Sequence, residues 1–123
     1  MIPMEFNIDV FEEVQNLLGK RVEFMLIKPV YDELWRLSRR GSKVGRQAAY
    51  ALGLAKRCRI VDVEMKASES IDDAIARVAK DIGTIVATTD LELKARLRNI
   101  NLPVIYLRER SRLEVEGIEP EYV

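Results

Sequence analysis

Gly83-Thr84-Ile85-Val86-Ala87-Thr88-Thr89-Asp90-Leu91-Glu92 is a short apolar run, rich in β-branched residues, that ends in a hydroxyl pair and an acid. A segment of helical spacing follows at once, Leu91-Glu92-Leu93-Lys94-Ala95-Arg96-Leu97. The order reads as strand, carboxylate, helix. An acid so placed stands at the carboxyl end of a strand, where open α/β sheets hold their ligands.

Working outward, the same alternation recurs. Just upstream, Ser70-Ile71-Asp72-Asp73 opens a helix with Ala74, Ile75, Val78, Ala79 and Ile82 on one face, and Gly83 closes it. A polar loop (66–69) separates it from an expected strand at 60–63, in which Asp62 reads as an edge or pleat-facing residue. Before that comes a helix over 43–56, with Val44, Ala48, Ala51, Leu52 and Ala55 inward and with Gly45 and Gly53 weakening it slightly. A basic turn, Ser38-Arg39-Arg40-Gly41-Ser42-Lys43, joins it to a helix opened by Pro29 at a favoured first-turn position. Val30, Leu34 and Leu37 form the inner face of that helix, with Tyr31 and Trp35 alongside, and a strand at 22–27 precedes it. The first helix passes through Val10, Phe11, Val14, Leu17 and Leu18, with Asn7 or Asp9 as cap and Gly19 as stop. Residues 1–6 are apolar apart from Glu5, and Pro3 argues against a regular strand there. Downstream, 102–107 is a last strand, and the charged tail offers Leu113, Val115 and Ile118 as anchors. The order α-β-α-α-β-α-β-α-β implies one α/β domain over 1–123, with a mostly parallel sheet flanked by helices and right-handed crossovers.

Composition narrows the function. The 123 residues are 48% hydrophobic and 33% charged, as in a globular domain. Lysine plus arginine and aspartate plus glutamate both number 20, so net charge makes no case for nucleic acid or membrane; only local clustering can. There is no histidine, which removes the usual general base and any histidine-ligated metal. Cys58 is the one cysteine; it fits a small buried hydrophobe better than a catalytic thiol lacking a histidine partner. With no apolar run of membrane-spanning length and no signal peptide, a cytoplasmic location is expected.

Parallel strands end on one sheet edge, so residues just after each strand should converge there. Glu33, Asp72 with Asp73, and Asp90 with Glu92 occupy such places. Several carboxylates together repel one another, and a divalent cation resolves the conflict. Oxygen donors without histidine or cysteine suit Mg2+ or Mn2+. The simpler reading is capping, because acids are favoured at helix N-termini. Ser70-x-x-Asp73 resembles a capping box, and Thr89-x-x-Glu92 has the full pattern. On this reading Glu92 is the cap and Asp90 the ligand. Arg36, Arg39, Arg40, Lys43 and Arg46 bracket the turn after the Glu33 helix and could meet a phosphate backbone, or could simply be a solvated face.

The run Thr84-Ile85-Val86-Ala87-Thr88-Thr89-Asp90-Leu91-Glu92-Leu93-Lys94, followed by Leu102-Pro103-Val104-Ile105-Tyr106-Leu107, resembles the C-terminal half of PIN domains. It is most similar to archaeal ones allied to the Fcf1/Utp24 ribosomal-RNA-processing nucleases. Ser70-Ile71-Asp72-Asp73-Ala74-Ile75 resembles the family's acidic helix start, and Pro29-Val30-Tyr31-Asp32-Glu33-Leu34 the helix that carries its glutamate. The resemblance implies a three-layer PIN-like fold. It implies Glu33, Asp73 and Asp90 as catalytic, metal-binding acids, with Asp72, Thr89 and Glu92 accessory. It implies a Mg2+- or Mn2+-dependent ribonuclease in which a metal-activated water attacks the phosphodiester. RNA is then the partner, with Arg39, Arg40, Lys43 and Arg46 as its candidate contacts. RNA processing, a toxin role and a non-cleaving RNA-binding or assembly module all remain open.

One departure stands out. PIN domains begin with a strand ending in an Asp-Thr-Asn-type motif that supplies a metal ligand, whereas this chain opens Met1-Ile2-Pro3-Met4-Glu5-Phe6-Asn7-Ile8-Asp9-Val10. Glu5 and Asp9 are the only acids near the gap. Without that strand, those at 22–27 and 84–88 would each lose a neighbour, and a second subunit in a homo-oligomer could take its place. Weaker metal binding and lower stability than in a version extended upstream are expected.

Overall fold

A strand that runs straight into a helix is the recurring step of this chain, and the computed structural model, which describes residues 9–108 and 112–118, shows it twice. In chain order the elements are α1 (Val10–Leu18), β1 (Met25–Ile27), α2 (Lys28–Ser38), α3 (Lys43–Ala55), β2 (Arg59–Val61), α4 (Ile71–Ile82), β3 (Val86–Thr88), α5 (Leu91–Asn99), β4 (Val104–Arg108) and β5 (Arg112–Glu116). They fall into two compact units, Glu23–Ile75 and Met1–Val22 with Ala76–Val123.

In the Glu23–Ile75 unit, β1 and β2 pair in parallel, with Leu26 opposite Ile60. The Arg59 amide donates to the Phe24 carbonyl at 2.8 Å, and the Arg59 guanidinium meets the Glu23 carboxylate at 3.2 Å. α2 starts on the last residue of β1. Its N-cap, Ile27, offers no side-chain acceptor, and Pro29 sits in the first turn, where its missing N–H leaves no intrahelical bond unmade. α2 and α3 pack together through Leu34, Ala48 and Ala51, with Val30, Leu37 and Leu52 around them. The alanines let the backbones approach. At Gly45, where α3 meets the turn before it, a Cβ would lie 1.8 Å from the Arg40 carbonyl oxygen. Gly45 thus has a packing reason in addition to its helix-weakening effect. Val44, expected inward, is 42% exposed, because the face toward α2 is taken by the alanines one turn on.

In the other unit, Asp9 caps α1 by accepting from the Glu12 amide at 3.2 Å, and Gly19 ends it in the left-handed region at φ +69°. Phe11, Val14 and Leu18 are its buried face. β3 and β4 pair in parallel, with Ala87 opposite Ile105, and α5 packs against both strands. Leu97 of α5 and Val104 of β4 are the most deeply buried large side chains among the described residues. β5 pairs antiparallel with β4, setting Val115 opposite Ile105 and Leu113 opposite Leu107. Residues 112–116 of the tail are thus a strand, where only anchoring side chains were expected; alternation of Leu113 and Val115 with charged residues was its signal. Lys94 of α5 reaches the Glu116 carboxylate and sits 4.8 Å from the Tyr106 ring centre, tying helix to hairpin.

The parallel strands are shorter than the apolar runs that announced them, since ladder bonding covers only part of each run. Asp62 lies beyond β2 rather than within a strand and is exposed. Among the described residues the strands form two sheets, β1-β2 and β3-β4-β5, with two of the three pairings parallel. The expectations for residues 1–6, for Glu5 and for Asn7 as a cap lie outside the described residues. No helix among those described is long and apolar enough to cross a membrane.

Candidate active site

Glu33 lies in the second turn of α2, not the first. Its carboxylate takes a two-point grip from Arg36, which donates from Nε at 3.2 Å to Oε2 and from Nη2 to Oε1. The i, i+3 spacing made this contact available. The hydrogen bond from Arg36 holds the Glu33 carboxyl below its ordinary pKa; desolvation opposes the shift, and the charges of Arg36 and Arg40 add to it.

Asp73 stands in the first turn of α4 in a reciprocal box. The Ser70 amide donates to Asp73 Oδ2 at 3.0 Å, and the Asp73 amide donates to Ser70 Oγ at 3.0 Å. Asp72, beside it, is half-buried. Asp90 is the N-cap of α5: its Oδ1 accepts from the Glu92 amide at 2.8 Å and from the Leu93 amide at 3.3 Å. The Asp90 amide in turn donates to Thr88 Oγ1 at 3.1 Å. The helix cap expected at Glu92 is therefore Asp90. Asp90 caps the helix, one residue beyond the Thr89 start that the Thr89-x-x-Glu92 pattern suggested, and Glu92 is a first-turn acid favoured by the helix dipole. Thr89 is half-buried at the end of β3.

Glu33, Asp72 and Asp73 belong to one unit, and Thr89, Asp90 and Glu92 to the other. Their oxygens have the right chemistry for a hard divalent cation. Within each unit, no three acids or cysteines among the described residues stand close enough to share a metal ion. Each of the three leading acids is already engaged, Glu33 by a guanidinium and the two aspartates by backbone amides.

Arg39, Arg40, Lys43 and Arg46 are all exposed around the α2–α3 turn, as their clustering in sequence implied. Cys58 is half-buried, and burial pushes its thiol pKa up against a weaker pull from Arg57, in keeping with a small hydrophobe. It lines an open hollow with Tyr31, Leu52, Gly53, Lys56 and Ile60, and no carboxylate contributes to that wall.

The PIN like domain family matches residues 1–110, and the chain belongs to it. The chain is 33% identical over 108 residues to Ribonuclease VapC4 of Methanocaldococcus jannaschii, spanning 86% of this chain and 82% of that protein. It is 35% identical over 98 residues to Ribonuclease VapC9 of Archaeoglobus fulgidus, spanning 78% and 69% respectively. A solved structure described as the PIN domain endonuclease Utp24 superposes with a TM-score of 0.73 at 27% identity, covering 90% of this chain and 80% of that one. The architecture is thus the α/β, PIN-like one, with parallel strands flanked by helices.

Proposed function

We propose that the chain is a PIN-type ribonuclease, a hydrolase of RNA phosphodiester bonds, folded as a single PIN-like domain. The observation that carries this is the family match over residues 1–110, together with two relatives that are both ribonucleases at 33% and 35% identity. The acids assigned to the reaction are Glu33, Asp73 and Asp90, with Asp72, Thr89 and Glu92 beside them. Each of the three follows a strand, at or near a helix start. Mg2+ or Mn2+ is the proposed cofactor on donor chemistry and kinship.

The test is cleavage of an end-labelled single-stranded RNA in Mn2+, in Mg2+ and in EDTA. Cleavage in either metal that vanishes in EDTA, and in Asp90→Asn and Glu33→Gln, is the expected result. Undiminished cleavage by both variants would overturn the assignment of the acids.

One observation favours a second reading. All three acids hold local partners. A PIN-like module that binds RNA or a partner without cutting would look like this. RNA binding that is indifferent to EDTA, with no product in any metal, selects it.

A further inference from the structure

Between Glu33 and Asp62 the chain carries eight basic residues and no acid, although the whole sequence is neutral. This is the charge segregation that total composition conceals, and it is concentrated around the α2–α3 turn. Arg36 is held by Glu33, but Arg40, Lys43 and Arg46 have no ion-pair partner among the described residues. In the middle of this charge stands Trp35, 52% exposed on a helix whose other large apolar residues turn inward. The Arg39 guanidinium lies 5.1 Å from its ring centre, within cation–π range.

Exposed indole beside unpaired cations has a specific use. Solvated charge alone needs no aromatic, and a core aromatic would not be half exposed. Single-stranded nucleic acids are held by aromatic side chains that stack on bases and cations that track the backbone. A duplex hides the faces of its bases, and an acidic peptide has no ring to stack. The turn is also held in place. The Arg39 and Arg40 amides close the end of α2 on the Arg36 and Leu37 carbonyls, at 3.3 and 3.1 Å. The absence of a side chain at Gly45 lets the Arg40 carbonyl lie against α3. The cations are therefore presented from ordered backbone, which lowers the entropic cost of binding.

We infer that the α2–α3 turn is a single-stranded RNA contact surface in which Trp35, braced by Arg39, stacks on a base while Arg40, Lys43 and Arg46 meet the phosphates. The inference rests on RNA being the substrate, and it adds the stacking residue and the form of RNA recognised.

Trp35 is the only tryptophan in the chain, so its fluorescence reports this one site. The probe is a twelve-residue oligouridylate titrated in EDTA, which keeps binding separate from cleavage. Saturable quenching of Trp35 is expected, with log affinity falling against log salt at a slope of about −2 for three phosphate contacts. By anisotropy of a labelled oligomer, Trp35→Ala weakens binding roughly tenfold and Trp35→Phe retains most of it. Arg40→Ala with Lys43→Ala lowers the salt slope by about 1.4. All of these residues are exposed, and unchanged circular dichroism verifies that the variants fold. No quenching, unaltered affinity in both Trp35→Ala and the double variant, or equally tight binding to duplex RNA or polyglutamate would each overturn the inference. Binding without cleavage defeats only the nuclease reading, whereas cleavage with no quenching defeats only this surface.

Discussion

β1 into α2 and β3 into α5 are the same structural step taken with different chemistry. In the second, the strand ends in a hydroxyl residue and an aspartate, and Asp90 satisfies two amides of the helix it begins. In the first, no side chain caps the helix; Pro29 shapes its first turn, and Glu33 waits until the second, where Arg36 takes it up. An acid at a cap is bound into the backbone. An acid in the body of a helix is bound only to another side chain, which can let go. The two carboxylates proposed for one reaction thus differ in what the fold would lose with each.

Charge-removing variants test the shared role first and should give the largest effect. Asp90→Asn and Glu33→Gln are each expected to slow RNA cleavage by about a hundredfold or more if these carboxylates serve the reaction. Asparagine caps as well as aspartate, so a loss in Asp90→Asn reflects charge and not a frayed helix. Next comes the structural contrast. Asp90→Ala should lower stability by about 1 kcal/mol, a fall of roughly 4 °C in melting temperature for a domain of this size. Glu33→Ala should lower the melting temperature only slightly, by no more than the loss of its exposed pair with Arg36. Equal losses in the two would mean that Glu33 supports the fold in a way its exposed pair with Arg36 does not explain.

The smallest effect is in pH. Glu33 releases its proton more readily in the folded chain than its ordinary value. Its charged pair therefore favours the fold above the ordinary glutamate range, and the benefit fades as pH falls through the lowered folded value. Melting temperatures of wild type and Arg36→Ala, followed from neutral to acid pH, should differ slightly at neutrality and converge in acid. A gap that widens in acid would reverse the sign assigned to the pair.

The residues that announced the fold were those whose local chemistry is self-sufficient. Pro29 at a helix start, Gly19 at a helix stop, Asp9 at a cap and the Ser70–Asp73 box each act within a few residues of themselves, and each is where the sequence placed it. What it could not display were relations between distant segments. β5 was hidden because a strand of alternating charged and apolar residues gains its identity only from β4 and from Lys94. Val44 was assigned inward because helical period does not say how near the neighbouring helix lies. The candidate acids were legible as residues, but Asp90 was separated from its cap by a single position. Thr89-x-x-Glu92 satisfies a motif that Asp90 satisfies in space, since its Oδ1 reaches two amides at once. Glu33 and Arg36 could have been paired on spacing alone.

The close approach at Gly45 sets a trap for anyone who would harden this protein against heat. Replacing helical glycines by alanine is a standard stabilising change, and α3 offers two of them. At Gly53 an added methyl group meets open space, and Gly53→Ala should gain about 0.5–1 kcal/mol from propensity and a less flexible unfolded chain. At Gly45 the same methyl group would collide with the Arg40 carbonyl, and the whole arginine turn would have to move aside. One helix thus carries two identical substitutions of opposite sign, and a design guided by helix propensity alone would disarrange the basic surface while trying to strengthen its scaffold.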